Sequence, residues 1–238
     1  MTVLRYRIKI AGVVMPIPYL RKIPLFSNLG RKDFELVKSI AKSQNYRKGE
    51  RILSEGDKGD ALFIVLKGLV KINKKAYGKI KTLAILKKGD FFGEMSLIDK
   101  EARSASAYAM QDVELLLITR SSFTKTLKNN SALTGRIIET LCERLRRANE
   151  EIEILSFQNI VGRMATTILY LAEKYGRKQG SSIKINLKLT KKDLAEMVGT
   201  AREVVSRVAR NLIHIGCIDM KSNYIIIKDK EKLESFIQ

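Results

Sequence analysis

Six apolar residues, Ile138, Leu141, Leu145, Ala148, Ile152 and Leu155, recur in alternating steps of three and four. A period near 3.5 lays them in a narrow seam along one side of an α-helix, narrower than the stripe of a helix packed on a globular core. The seam predicts a helix over about residues 132–156. Arg144, Arg146, Arg147, Glu150 and Glu151 flank it as solvated positions, so a second copy of the same helix is the expected cover. Packing of the seam on the chain's own strands is the competing reading. Gln158 and Asn159 break the pattern and mark a hinge.

The chain reads differently on either side of this helix. Phe34, Val37 and Ala41 recur at helical spacing, and residues 45–53 then switch to short extended pieces. Apolar runs at 62–66, 69–72, 83–86 and 113–118 follow, punctuated by Gly56, Gly59, Gly68, Gly78 and Gly89, which suits an antiparallel roll or barrel. Past the hinge, Ile160, Met164, Ile168 and Leu171 share one helix face. Thr190 with Asp193 starts a short helix through Val198 in the manner of a capping box, Gly199 turns the chain, and Thr200 with Glu203 is expected to start the next helix the same way. Strands at 218–220 and 224–227 around Lys221, Ser222 and Asn223 make a wing. The expected fold class is α+β: an N-terminal antiparallel β-roll, a long helix and a C-terminal winged helix-turn-helix.

Lys and Arg number 45 against 25 Asp and Glu, a net charge of +20 that calls for a polyanionic partner, nucleic acid or an acidic membrane surface. No apolar stretch approaches the roughly 20 residues of a membrane span, and Pro16 and Pro18 cut short the apolar run at 10–15, which excludes a signal peptide there. A soluble cytoplasmic protein is expected, with no membrane partner. Cys142 and Cys217 have no metal-ligand spacing and read as core residues in a reducing compartment. With one histidine, His214, and no nucleophile beside a base, no enzyme and no metal or cofactor is implied. His214 falls late on the last predicted helix, where a structural or solvent-facing role is expected.

The helix after Gly199 carries the DNA reading. Arg202, Glu203 and Arg207 occupy its first two turns, where a recognition helix meets base edges. A guanidinium fork bonds guanine O6 and N7 together, and a carboxylate accepts from cytosine N4. Arg210, Lys191 and Lys192 suit phosphates; Thr190, Thr200 and Ser206 complete the candidate DNA-binding set. The plain alternative is a solvated face with Glu203 acting only as a capping partner.

A second constellation lies at residues 92–105. Gly93 permits close backbone approach to a ligand, the amides opening a short helix at 94–97 suit an anion, and Arg103 offers a planar cation to a phosphodiester. The alternative is a buried ion pair of Glu94 with Arg103.

Three motifs, Leu189-Thr190 through Asp193, Met197-Val198-Gly199, and Arg202-Glu203 with Arg207, resemble the DNA-binding signature of the catabolite-activator/fumarate-nitrate-regulator (CRP/FNR) family of bacterial transcription factors. Leu155-Ser156-Phe157 and Val161-Gly162-Arg163 resemble its hinge, and Gly93-Glu94-Met95-Ser96 with Arg103-Ser104 resembles its phosphate-binding cassette. The resemblance runs from about Tyr19 to the C-terminus. It implies an N-terminal extension at 1–18, an effector-sensing roll at 19–130, a dimerisation helix at 131–157 and a DNA-binding domain at 158–238. It also implies a homodimer on double-stranded DNA, RNA polymerase as a further partner, a palindrome with TGTGA-like half-sites, and cyclic AMP as effector, with Glu94 on a ribose hydroxyl and Ser104 on the phosphate. At the positions resembling the family's adenine-contacting threonine and serine this chain has Ala148 and Asn149. Ala148 makes no hydrogen bond, a loss on the order of 1 kcal/mol, and the Asn149 amide is the replacement. Cyclic GMP, another nucleotide or no effector therefore stand as alternatives. The iron–sulfur branch of the family is excluded, because no cysteine precedes Cys142.

Overall fold

The computed structural model describes Ile23 and residues 42–237. The helical spacing at 31–41 and the extension at 1–18 lie outside the described residues. The chain divides into two compact units, one holding the residues up to Tyr77 and Leu83–Glu143, the other Gly78–Thr82 and Arg144–Gln238.

The first unit is built on β3 (Ala61–Lys67), whose first six residues are all buried. Its side chains alternate between two cores. Leu62, Ile64 and Leu66 join Leu116 and Ile118 of β8 (Val113–Thr119) under the helices, while Phe63 and Val65 join Leu115, Phe92 and Ala107 inside the roll. Burial on both faces explains why the segment reads as an unbroken apolar run instead of the alternation of a half-exposed strand. Around it one sheet runs β1-β8-β3-β6, with β1 at Lys42–Tyr46 and β6 at Phe91–Phe92. The other runs β2-β7-β4-β5, with β2 at Arg51–Leu53, β4 at Val70–Ala76, β5 at Lys79–Leu86 and β7 at Ser106–Ala109. The recorded pairings are antiparallel, as expected for a roll.

Three helices cover the outer core. α1 (Met95–Ile98) supplies Leu97, and α2 (Arg120–Asn129) supplies Phe123. The sequence reading lacks α2, because Phe123 and Leu127 are its only apolar side chains and make too thin a stripe to register. α3 runs from Ser131 to Phe157, one residue beyond the expected helix at each end. It carries two stripes. Leu133 and Ile137 are buried in the roll's outer core with Leu141 packed against it, whereas Ile138, Leu145, Ile152 and Leu155 are 55%, 64%, 62% and 42% exposed. Among the described residues, Leu141 is the seam residue packed against the roll's outer core. Cys142 is exposed, which corrects its placement in the core: it lies one position beyond Leu141, past the edge of the buried stripe.

Asn159 breaks the helix with an extended backbone, and its Oδ1 accepts from the Val161 and Gly162 amides at 2.9 and 3.0 Å. It thus caps α4 (Ile160–Tyr175), whose Met164, Ile168 and Leu171 are fully buried. α4 packs with a sheet of order β11-β12-β10-β9. The hairpin β9 (Gly176–Gln179) and β10 (Ser182–Ile185) has no counterpart in the sequence reading, since its strands are four residues each and only β10 carries apolar side chains, Ile183 and Ile185. β11 (Ile218–Lys221) and β12 (Tyr224–Ile227) form the expected wing, closed by Ser222 and Asn223 at φ 49° and 66°, the two-residue turn that matches strand twist. Cys217 is buried beneath, and burial pushes its thiol pKa up.

The helix-turn-helix consists of α5 (Lys191–Val198) and α6 (Arg202–His214). At Thr190 the capping box is complete: Oγ1 accepts from the Asp193 amide at 3.1 Å and the Asp193 carboxylate accepts from the Thr190 amide at 3.0 Å. Gly199 turns the chain at φ 75°, a left-handed conformation that a side chain resists. The second expected capping box is absent. Ala201 is the N-cap of α6, with no side-chain cap, because the tight turn after Gly199 uses the Thr200 amide to close on Ala195 O at 3.0 Å and places the helix start one residue later. A last helix, α7, spans Lys230–Glu234.

Thr190→Ala should lower stability by about 1 kcal/mol through loss of the cap. Thermal melts of the two proteins should differ by several degrees, and coincident melts would contradict this reading of the α5 start.

Candidate effector cradle and DNA-reading helix

Arg103 is the centre of the first site. It follows the α1 loop and precedes β7, and its side chain is only 4% exposed. Nη1 donates to Gly93 O at 2.5 Å and to Ser96 Oγ at 2.9 Å, and Nη2 donates to Ala61 O at 2.6 Å. The Asp60 carboxylate stands 3.5 Å from Nη2, and the guanidinium lies 6.0 Å from the Phe63 ring centre. So buried a cation demands this many acceptors. Two backbone carbonyls, a hydroxyl and a carboxylate thus meet the Arg103 guanidinium, with Glu94 buried earlier in the same stretch of sequence.

Two glycines make room for that head group. Gly93 has φ 83°, and a Cβ there would come 2.6 Å from Arg103 Nη1. At Gly59 a Cβ would lie 2.1 Å from Ser96 Oγ. Both positions exclude any larger residue. Glu94 is 1% exposed and Ser96 2%, whereas Met95 and Ser104 point outward, with Ser104 Oγ 3.9 Å from Met95 Sδ. The structure therefore brings Gly93, Glu94, Met95, Ser96, Arg103 and Ser104 into one cassette. Ala148 and Asn149 stand exposed on α3 in the second unit.

Residues that sequence reasoning missed also meet here. Asp60 and Ala61 hold Arg103, and Arg120 at the first turn of α2 reaches Gly59 O and Ser96 O. Gly59 carries a signal, its place in a glycine-punctuated turn, but the sequence of Arg120 shows nothing of the contact because α2 is itself weakly marked.

On α6, Val205, Val208, Ala209 and Leu212 are buried. That i, i+3, i+4, i+7 face turns Arg202, Glu203, Arg207 and Arg210 to solvent, with Ser206 half-buried among them. Arg202 Nε lies 3.5 Å from the exposed Glu203 carboxylate, a surface pair worth little and readily given up to another partner. Lys191 and Lys192 are exposed at the start of α5, and Thr200 is half-buried in the turn. The wing leans on this motif: Leu189 donates its amide to Asn223 O at 2.8 Å, and Lys184 and Lys188 lie 4.5 and 5.6 Å from the Tyr224 ring. His214 is the exposed last residue of α6. Among the described residues no helix is long and apolar enough to cross a membrane.

Residues 43–130 match the cyclic nucleotide-binding domain family, and residues 162–236 match the Crp-like helix-turn-helix domain. The chain is 33% identical over 212 residues to the cyclic AMP receptor protein of Thermus thermophilus, covering 89% of this chain and 95% of that one. It is 30% identical over 190 residues to the CRP-like cAMP-activated global transcriptional regulator of Mycobacterium tuberculosis, covering 79% and 85%. Its fold is similar to that of a CooA mutant from Carboxydothermus hydrogenoformans, with a TM-score of 0.76 at 24% identity over 91% of this chain and 95% of that one. Taken with the roll, the buried cradle and the exposed face of α6, these similarities establish that the chain belongs to the CRP/FNR family of DNA-binding transcription regulators, with a cyclic nucleotide-binding domain ahead of its helix-turn-helix.

Proposed function

We propose that the protein is a homodimeric regulator that reads a palindrome with TGTGA-like half-sites under the control of a cyclic nucleotide. The division of labour is sensing at residues 19–130, dimerisation at 131–157 and DNA binding at 158–238. The observation that carries this reading is the α6 face: Arg202, Glu203 and Arg207 stand together in solvent above a buried side that anchors the helix. Arg207 and Arg202 read guanines, Glu203 reads a cytosine, and Arg210, Lys191 and Lys192 hold phosphates. Thr190, Thr200 and Ser206 border the same surface.

Dimerisation is supported by the seam on α3, where Ile138, Leu145, Ile152 and Leu155 expose apolar surface that water disfavours. A two-fold axis along α3 presents two copies of α6 about one DNA turn, roughly 34 Å, apart.

Cyclic AMP is the proposed effector, since two relatives of 30% and 33% identity are named for it and the cradle at Gly93 and Arg103 fits its phosphodiester. Glu94 takes the ribose and Ser104 the phosphate, while Met95 and Ser96 shape the cassette. Ala148 in place of a hydroxyl residue favours a second reading, in which Asn149 selects cyclic GMP or another base.

Arg207→Ala should cost about 1–3 kcal/mol on a TGTGA palindrome and little on random duplex. Competition binding measures both, and unchanged discrimination would sink the base-reading role. Calorimetric titration with cyclic AMP and cyclic GMP should give binding of at least one by the unmodified protein and loss of it in Arg103→Ala. Heat from neither nucleotide would end the effector assignment and leave the DNA reader intact.

A further inference from the structure

Arg103 and Arg120 both grip Ser96. Arg103 Nη1 donates to the Ser96 hydroxyl at 2.9 Å, and Arg120 Nη2 donates to the Ser96 carbonyl at 2.8 Å. The two arginines also share the turn before β3. Arg120 takes Gly59 O through Nε at 3.1 Å and Nη2 at 2.6 Å, and its amide donates to Asp60 O at 2.7 Å. Arg103 takes Ala61 O and faces the Asp60 carboxylate. The block is close-packed at Gly59, where an added Cβ would come 2.1 Å from Ser96 Oγ.

From Arg120 the contacts continue into the helices. One turn along α2, Phe123 shares the outer core with Leu97, the residue after Ser96. At the far end of α2, Thr134 Oγ1 donates to Leu127 O at 3.1 Å, and Asn130 Oδ1 accepts from the Leu133 amide at 2.8 Å. The α2–α3 junction is thereby fixed, and Leu133 and Ile137 of α3 lie in the same core.

We propose that Arg120 is the positioning residue that passes the state of the Arg103 cradle to α2 and the base of α3. This rests on the reading of the cradle as a phosphodiester site. A phosphate is a stronger acceptor for a guanidinium than a neutral hydroxyl or carbonyl, so an anion at Arg103 draws Nη1 away from Ser96 Oγ and Gly93 O. Ser96 then shifts, and its carbonyl, tied to Arg120, moves the start of α2. A bidentate guanidinium suits this task because it holds two carbonyls of different segments at once.

The test is a double-substitution cycle on the full chain, read by amide hydrogen exchange across α2 in the unmodified protein, Arg103→Ala, Arg120→Gln and the double variant. Arg103→Ala should speed α2 exchange about tenfold with Arg120 present and less than about twofold with Gln in its place. Additive effects would overturn the proposal, since a merely structural Arg120 loosens α2 without changing its response to position 103. Should Arg120→Gln fail to melt cooperatively, Arg120→Lys carries the cycle: the ammonium lacks the fork, so a response reduced to about threefold is expected, and an undiminished one overturns the proposal. Binding of cyclic AMP and cyclic GMP is measured separately. If neither binds, the effector reading falls and the cycle still decides Arg120. If one binds, Arg120→Gln compared with the unmodified protein at saturating nucleotide should lose the nucleotide-driven change in α2 exchange; retention of that change also overturns the proposal.

Discussion

Burial of β3 on both faces is the constraint on which the sensing unit depends. One side of the strand must be covered by the inside of the roll and the other by helices, so the same six buried residues fix the roll and dock α1, α2 and the first turns of α3. The strand also sets the position of the turn that leads into it. Gly59, Asp60 and Ala61 supply some of the acceptors of Arg103 and Arg120, so the site is built at the start of a strand buried on both faces. A buried guanidinium is tolerated there because Nη1 and Nη2 both meet oxygens of the protein.

The DNA-reading unit solves a different problem. Its α6 exposes Arg202, Glu203 and Arg207, and exposure alone gives no orientation. Orientation comes from Val205, Val208 and Leu212 on the other side of the helix, from the capping box that starts α5, and from the left-handed glycine between the two helices. The exposed side chains of α6 contribute little to stability where they stand, which leaves them available to a partner.

The sequence is most informative where one period or one conformational requirement dominates. The α3 seam, the Thr190–Asp193 capping box, Gly199 and the wing turn are of this kind, and the structure places them as expected. Legibility fails where an element is held by few contacts of its own. α2 has two apolar side chains, and β9 and β10 are four residues each with two isoleucines between them, so each owes its form to the body it packs on. The same limit applies to the cradle. Gly93, Glu94 and Arg103 are close in sequence and visible as a cassette, but Asp60, Ala61 and Arg120 reach Arg103 or its neighbours only through the fold. Two local readings go astray for a related reason: the Thr200 amide is used by the turn, and Cys142 falls beyond the buried stripe of a helix with two apolar faces.

Exposed seam and exposed α6 together amount to a claim about symmetry: two recognition helices held at a spacing fixed by α3. The direct measurement is affinity for duplexes carrying two TGTGA half-sites, one with the half-sites about one helical turn apart and one with about five further base pairs between them. The account predicts tight binding to the first by a protein dimer and loss of most specific affinity on the second, whose half-sites lie on opposite faces of the DNA. Equal affinity for both duplexes, or specific binding by a single chain, would contradict it.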